Sequence, residues 1–310
     1  MKKKILFSVF AFLTVFTTVS ANTSIITDEL YENPNGVLMT ETQRNNLNQI
    51  YGDNFASYID QETFEKLQYR INNVIVESTE IYVQTHTLYD GNNNIISQYE
   101  EVVDPDEFYR DLYNEESNIQ PFAHYQTWET ESKIINLVAT YHEHENPRRY
   151  YVTSTTTWKK MPKVRSYDLS GMYFSTVTED NEYTNPHSYV MYTSSGSDRV
   201  TAAYSQSVKS INFGWVHSNK LPSGGLSMLK VVQDVTLADF PTSGNLLQTV
   251  RATYQHATKT TYDYVKQNNC VASVGTSGLG EVILLNSSVC DPATFDQMQG
   301  VYFTFTPTKS

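Results

Sequence analysis

Three neighbouring runs decide the fold: residues 133–144 read K-I-I-N-L-V-A-T-Y-H-E-H, residues 150–158 read Y-Y-V-T-S-T-T-T-W, and residues 167–177 read Y-D-L-S-G-M-Y-F-S-T-V. Each run is rich in the β-branched and aromatic residues that favour strands, and short polar connections separate them. We therefore predict three consecutive antiparallel strands that form a meander.

Strand-like runs continue to the end of the chain. Residues 250–256 (V-R-A-T-Y-Q-H) alternate between two faces, as Ile135, Leu137, Ala139 and Tyr141 do in the first run. Many short strands joined by Gly-, Pro- and Ser-rich turns predict a mainly β domain, an antiparallel β-sandwich or open barrel. The further strands are predicted at residues 188–193, 200–208, 228–237, 262–265, 281–285 and 301–305.

The charge distribution divides the chain in two. Residues 22–120 contain 19 acidic and 4 basic residues, whereas residues 121–310 contain 15 of each. This difference predicts a boundary after residue 120, between a small acidic unit and an all-β domain. The formal net charge of −12 makes nucleic acid and anionic lipid unfavourable partners.

The acidic unit has helix and hairpin signals, so we expect it to be α+β. A capping box at Thr40–Gln43 and an N-cap at Asp60 predict two short helices. A D-G-N-N turn predicts a hairpin of residues 74–89 and 94–103. Pro105 then stands at the first position of a third helix.

Residues 1–21 have the layout of a secretory signal peptide. Lys2–Lys4 are basic, Ile5–Val19 are apolar, and small residues precede a cleavage site after Ala21. The apolar run is short for a membrane span, and Asn22 is not the cysteine that would carry a lipid. We therefore expect a secreted, extracellular chain with no stable membrane anchor after cleavage.

The chain has two cysteines, Cys270 and Cys290. A pair of cysteines in an exported chain predicts one disulfide bond. The alternative is a free reactive thiol, which would require one of the two to stay unpaired.

Two segments carry a resemblance to other proteins. Trp158–Asp168 (W-K-K-M-P-K-V-R-S-Y-D) and Thr253–Ala257 (T-Y-Q-H-A), with the acidic unit before them, resemble sequences in secreted proteins of Gram-positive bacteria that have no assigned function. The resemblance covers most of the chain after the signal peptide. It implies secretion and the two-part layout, but no activity and no catalytic residue.

His142 and His144 are candidate metal ligands. Residues two apart on a strand point to the same face, and two histidines so placed can supply two ligands to zinc or copper. A third ligand would have to come from His124, His187 or His256. The alternative is a solvated strand end beside the P-R-R turn, and on that interpretation we expect no metal and no other cofactor.

Ser277 is a candidate nucleophile. The G-T-S-G sequence around it resembles the nucleophile loop of trypsin-like serine proteases, with His142 as base and Asp168 or Asp198 as the orienting acid. Threonine precedes Ser277 where that family has Asp or Asn, and leucine replaces the second glycine after it. A glycine-rich turn inside the disulfide loop accounts for the same residues.

Lys159, Lys160, Lys163 and Arg165 form a basic cluster beside Trp158. Interleaved basic and aromatic residues can bind polyanions, but the acidity of the chain argues against that partner. We hypothesise instead that the acidic unit docks on this cluster.

No motif in the chain amounts to an active-site signature. We therefore expect a non-catalytic binding protein whose ligand is extracellular or on a cell surface. Two alternatives stay open: a pore-forming toxin in which Tyr150–Trp158 or Thr201–Val208 inserts into membranes, and a hydrolase that uses His142 or Ser277. The deciding observation would be an ionisable pair from distant segments that converges in a concave pocket.

Overall fold

The computed structural model describes twelve stretches of the chain. They are residues 30–52, 54–92, 94–114, 126–142, 149–175, 186–197, 199–204, 207–211, 214–237, 247–260, 269–274 and 283–306. The predicted signal peptide, and the strand predicted at 262–265, lie outside them.

The described chain is mainly β, with helices near its beginning. The helices are α1 (Glu41–Tyr51), α2 (Phe55–Tyr58), α3 (Gln61–Ile71) and α4 (Pro105–Asn114). The strands are β1 (Leu30–Glu32), β2 (Leu38–Thr40), β3 (Val74–Asp90), β4 (Ile95–Val103), β5 (Gln126–Tyr141), β6 (Tyr150–Trp158), β7 (Tyr167–Phe174), β8 (His187–Ser194), β9 (Thr201–Tyr204), β10 (Ser207–Ile211), β11 (Gly214–Lys220), β12 (Leu226–Leu237), β13 (Gln248–Gln255), β14 (Val271–Val274), β15 (Ile283–Leu285) and β16 (Gln299–Phe305).

Two antiparallel sheets face each other and form a sandwich. The larger has seven strands in the order β4-β3-β5-β6-β12-β8-β9, and the smaller has five in the order β10-β11-β7-β13-β16. The main core lies between them, and it includes Ile135, Leu137 and Ala139 of β5 and Val250 and Ala252 of β13. The predicted fold class is confirmed, and the predicted alternation places these residues inside.

The predicted three-stranded meander is wrong. β5 and β6 pair as expected, with Lys133 opposite Trp158, but β7 crosses to the smaller sheet and pairs with β11 and β13. The other edge of β6 is taken by β12. Crossing lets Met172 and Phe174 of β7 pack against the core face of β5 and β6, which a neighbouring strand in the same sheet could not do.

The first three helices cover the outer face of the seven-stranded sheet. The predicted caps are confirmed: Thr40 and Gln43 form the capping box of α1, and the Asp60 side chain caps α3. Beneath the helices lies a second apolar core, in which Leu47 of α1 and Val232 of β12 are fully buried. The central strands of this sheet are therefore buried on both faces.

The predicted hairpin is confirmed as β3 and β4, and it extends the large sheet. β3 pairs with β5 from Val74 opposite Tyr141 to Asp90 opposite Gln126. The boundary predicted after residue 120 therefore separates β3 from β5, and these two strands are neighbours in one sheet.

The predicted disulfide joins Cys270 and Cys290. Both cysteines lie in a small apolar cluster with Leu169, Val216 and Ile283. This cluster packs on the outer face of the five-stranded sheet, because the neighbouring residues of β7 and β11 point into the main core.

The remaining strand predictions are mostly confirmed, with two differences. The run predicted at 200–208 is two strands that enter different sheets, β9 and β10. The polar strand β11 and the short strands β1, β2 and β14 were not predicted. Across the described ranges, no helix is long and apolar enough to cross a membrane.

Candidate functional site

Of the predicted catalytic and metal residues His142, His144 and Ser277, the structure describes His142 alone. His142 follows β5, and its backbone N–H donates to the carbonyl of Arg149 at 3.4 Å. His144 and Ser277 lie outside the described residues. Within those residues no group of three His, Cys, Asp or Glu side chains could hold a metal ion.

A buried cluster of charged residues lies instead at one end of the space between the sheets. At its centre, the Lys133 ammonium of β5 lies 2.5 Å from Glu100 Oε1 and 2.5 Å from Asp296 Oδ2. The three side chains are at most 1% exposed. Glu100 belongs to β4 and Asp296 to the segment before β16, so one lysine connects the large sheet to the segment that leads into the smaller one.

An aspartate and a histidine form the second half of the cluster. His256 Nδ1 lies 2.9 Å from Asp168 Oδ2, which also accepts from the Tyr254 hydroxyl. The backbone N–H of His256 donates to Asp296 Oδ1 at 2.7 Å, which links this pair to Lys133. The second imidazole nitrogen, Nε2, lies 3.9 Å from Glu131.

The pKa values of three residues in the cluster are raised. Burial opposes the charge of His256, but Asp168, and more weakly Glu131 and Asp296, raise its pKa to about 9. Burial likewise opposes the charge of Lys133, and its two carboxylate partners more than offset this and raise its pKa. Burial raises the pKa of Asp296 well above its usual range, although Lys133 opposes that effect.

A groove of about 990 Å³ opens beside this cluster. One wall consists of Tyr89 and residues 94–100, which include most of β4, and the other of residues 163–164, 258–259, 293 and 295–297. Glu100 belongs to the first wall and Asp296 to the second, so the Lys133 ion pairs join the two walls. Glu100 Oε2 is buried and has no hydrogen-bond partner in the described chain. We call this feature the β4 groove.

A second buried ion pair lies on the opposite face of the large sheet. Arg70 of α3 lies 3.2 Å from Asp234 of β12, and the Thr153 hydroxyl bridges the two. His187 approaches the same aspartate at 3.5 Å. This pair joins a helix to the sheet, and neither Arg70 nor Asp234 lines the β4 groove.

The basic cluster makes contacts with both parts of the chain. Lys163 pairs with Glu129 at 2.6 Å and lies 4.0 Å from the centre of the Tyr89 ring. Lys159 lies 5.9 Å from the Tyr109 ring. Tyr89 and Tyr109 belong to the predicted acidic unit, so these two lysines meet its aromatic rings.

The sequence identifies two residues of the charged cluster as candidates, but with other partners. Asp168 was a candidate partner of His142, and His256 a candidate third ligand for a metal. Lys133 had not been singled out. Its signal is visible in retrospect, because period-two alternation places this lysine on the same strand face as Ile135 and Leu137.

No family model matches the chain, and no curated protein matches it. One similar solved structure is that of AvmM, described as catalysing macrocyclization in alchivemycin A biosynthesis. The match has 10% sequence identity, covers 56% of this chain and 90% of the other, and has a TM-score of 0.26. A score this low carries no argument about fold or function.

Proposed function

We propose that this protein is a secreted, non-catalytic binding protein whose ligand occupies the β4 groove. One observation carries the proposal: the two walls of the groove are joined by a buried lysine that pairs with a carboxylate on each. A groove that is fixed before the ligand arrives loses less conformational entropy on binding. Its volume lies at the upper end of the range of known ligand pockets.

Secretion is supported by the signal-like residues 1–21 and by the disulfide. Disulfides persist in oxidising compartments and are rare in the cytosol. The expected mature chain begins at Asn22. Mass spectrometry of protein exported by a Gram-positive host tests this, and a chain retained in the cytosol with residues 1–21 attached would contradict it.

The state of His256 favours binding over hydrolysis. A general base must accept a proton near the working pH, but this imidazole already holds one at neutral pH because its pKa is raised to about 9. No described Ser, Thr or Cys side chain is hydrogen-bonded to it. We therefore interpret the Asp168–His256 pair as part of the ion cluster that fixes the groove.

The position of β6 favours binding over pore formation. All nine of its residues are buried, and it pairs with β5 on one side and β12 on the other. Its release into a membrane would break both ladders. The second candidate segment, residues 201–208, is divided between two sheets.

The test combines a ligand screen with a blocked groove. Ligand-observed NMR with alkylamines, dipeptides and monosaccharides should find binders that compete for one site. Ala293→Trp, on the exposed part of the far wall, should abolish their binding. The matched control is Ala202→Trp on the exposed edge strand β9, which should leave binding unchanged.

Three results would overturn the proposal. They are the absence of any binder, binding that survives Ala293→Trp, and leakage from phosphatidylglycerol liposomes at protein concentrations that leave the fold intact. The last result would favour the toxin alternative.

A further inference from the structure

The near wall of the β4 groove is the edge of a sheet. In the described chain β4 pairs with β3 alone and forms one end of the seven-stranded order. It is nine residues long, and at the opposite end β9 has only four. A long edge strand presents a row of backbone groups that can pair with another strand.

Several side chains of this edge strand are apolar and exposed. Ile95, Ile96, Tyr99 and Val102 are between 38% and 52% exposed. Natural edges are commonly protected by charged residues, proline, bulges or a short length. β4 has no lysine and no proline, and its charged residues are Glu100, whose side chain is buried, and Glu101. A partner that covers this edge would therefore bury apolar area as well as satisfy backbone groups.

The exposed part of Glu100 is its backbone. The residue as a whole is half-buried, while its side chain is only 1% exposed because Lys133 holds it between the sheets. At Glu100, β4 thus presents main chain to the groove, which is what a pairing strand requires.

The acidic residues of β4 restrict further which partner would bind. β4 contains Glu100 and Glu101 and no basic residue. Glu101 lies 3.0 Å from His86 Nε2, but its side chain is still 49% exposed. Glu100 pairs with Lys133 through one oxygen, and its other oxygen has no hydrogen-bond partner in the described chain. A basic residue opposite these carboxylates would be favoured electrostatically.

We propose that the ligand of the β4 groove is an extended peptide segment that pairs with β4 as an eighth strand, with aliphatic residues near its ends and a basic residue near its centre. The inference rests on the proposed function and names its ligand class. Main-chain hydrogen bonds would supply affinity, and the alternating side chains would supply specificity.

A defined probe tests the pairing directly. The probe is an N-acetylated, fluorescein-labelled nine-residue peptide of alternating threonine and valine with a central lysine, and binding is measured by fluorescence anisotropy. Two N-methylated versions carry methyl groups on alternate sets of residues. Because only every second N–H of a strand points toward its neighbour, one version should lose about tenfold or more in affinity and the other should keep it.

Two variants test whether the negative charge of Glu101 contributes to binding. Glu101→Gln should weaken binding of the lysine probe several-fold and leave a norleucine probe unchanged. Glu62→Gln is the matched control, because Glu62 is 79% exposed on α3 and lies away from the groove. It should change neither affinity.

The possible outcomes distinguish a failure of this inference from a failure of the proposed function. Equal loss of affinity in both N-methylated versions, with Ala293→Trp still blocking binding, would overturn strand pairing and leave a groove-binding protein. Failure of every peptide, while other probes bind the groove, would overturn the ligand class alone. A dimer in light scattering that Ile96→Lys dissociates, without any peptide binding, would assign the edge to a second copy of the chain.

Discussion

Replacing His256 by glutamine removes a cation that is buried beside Asp168, and it should change how stability depends on pH. The folded-state pKa of this histidine is about 9, against about 6.5 in an unfolded chain. Each unit of that difference corresponds to about 1.4 kcal/mol, so the bound proton stabilises the fold by about 3 kcal/mol. Because the folded pKa is the higher one, this stabilisation is complete below about pH 6.5 and disappears as the pH rises through about 9.

Urea unfolding between about pH 4 and pH 10 measures this contribution. The free energy of unfolding of the wild type should fall by about 3 kcal/mol more than that of His256→Gln between about pH 6.5 and pH 9.5. His217→Gln is the matched control. Burial lowers the pKa of His217 to about 4, so its contribution is present above about pH 6.5 and is lost as the pH falls through about 4, which leaves the alkaline side unchanged.

Parallel alkaline profiles for the wild type and His256→Gln would refute the reasoning. An imidazole whose NMR chemical shifts titrate near pH 6.5 would refute it as well. In either case the histidine would be free to accept a proton at neutral pH. The argument that favours binding over hydrolysis would then lose its main support.

Three further predictions concern Lys133 beside the groove, the disulfide bond and the packing of the five-stranded sheet. Lys133→Met should lower the free energy of unfolding at pH 7 by about 3–5 kcal/mol, because it leaves two buried carboxylates without a cation, and urea unfolding at acidic pH should show a smaller loss. Replacing both Cys270 and Cys290 by serine should cost about 3 kcal/mol in the same assay, because the 20-residue loop is no longer closed. Gly171→Ala should cost about 1–3 kcal/mol and lower the melting temperature, since the added methyl would lie 2.7 Å from Ile283 Cγ1.

The parts of the fold that were predicted correctly depend on local chemistry. The capping box at Thr40, the cap at Asp60 and the hairpin between β3 and β4 each need only residues within a few positions of one another. Period-two alternation also reports locally which face of β5 or β13 is apolar. These signals establish the elements and the fold class.

The arrangement of the strands depends on contacts that are distant in the sequence. Nothing in the residues after Trp158 distinguishes a turn into the same sheet from a crossing to the opposite one. β11 was missed because it reads G-W-V-H-S-N-K, with polar residues that the structure buries between other polar groups. His217 of this strand, for example, contacts Gln233 of β12 at 3.0 Å.

The charged cluster could not be predicted for the same reason. Lys133 and Asp296 are 163 residues apart, and Asp168 and His256 are 88 apart. Each is an ordinary residue in its own segment. Only the order of strands in two facing sheets brings them within hydrogen-bonding distance, and that order is set by the packing of the whole sandwich.

The ion pairs of Lys133 contribute to the geometry of the groove as well as to stability. A buried ion pair is often no more stabilising than apolar side chains of the same volume, because desolvation offsets much of the attraction. Its geometry, however, is specific, since one ammonium must reach carboxylates on two different walls at once. Apolar side chains could close this end of the sandwich in several packings, and we infer that Lys133 favours the one in which β4 lies beside the groove.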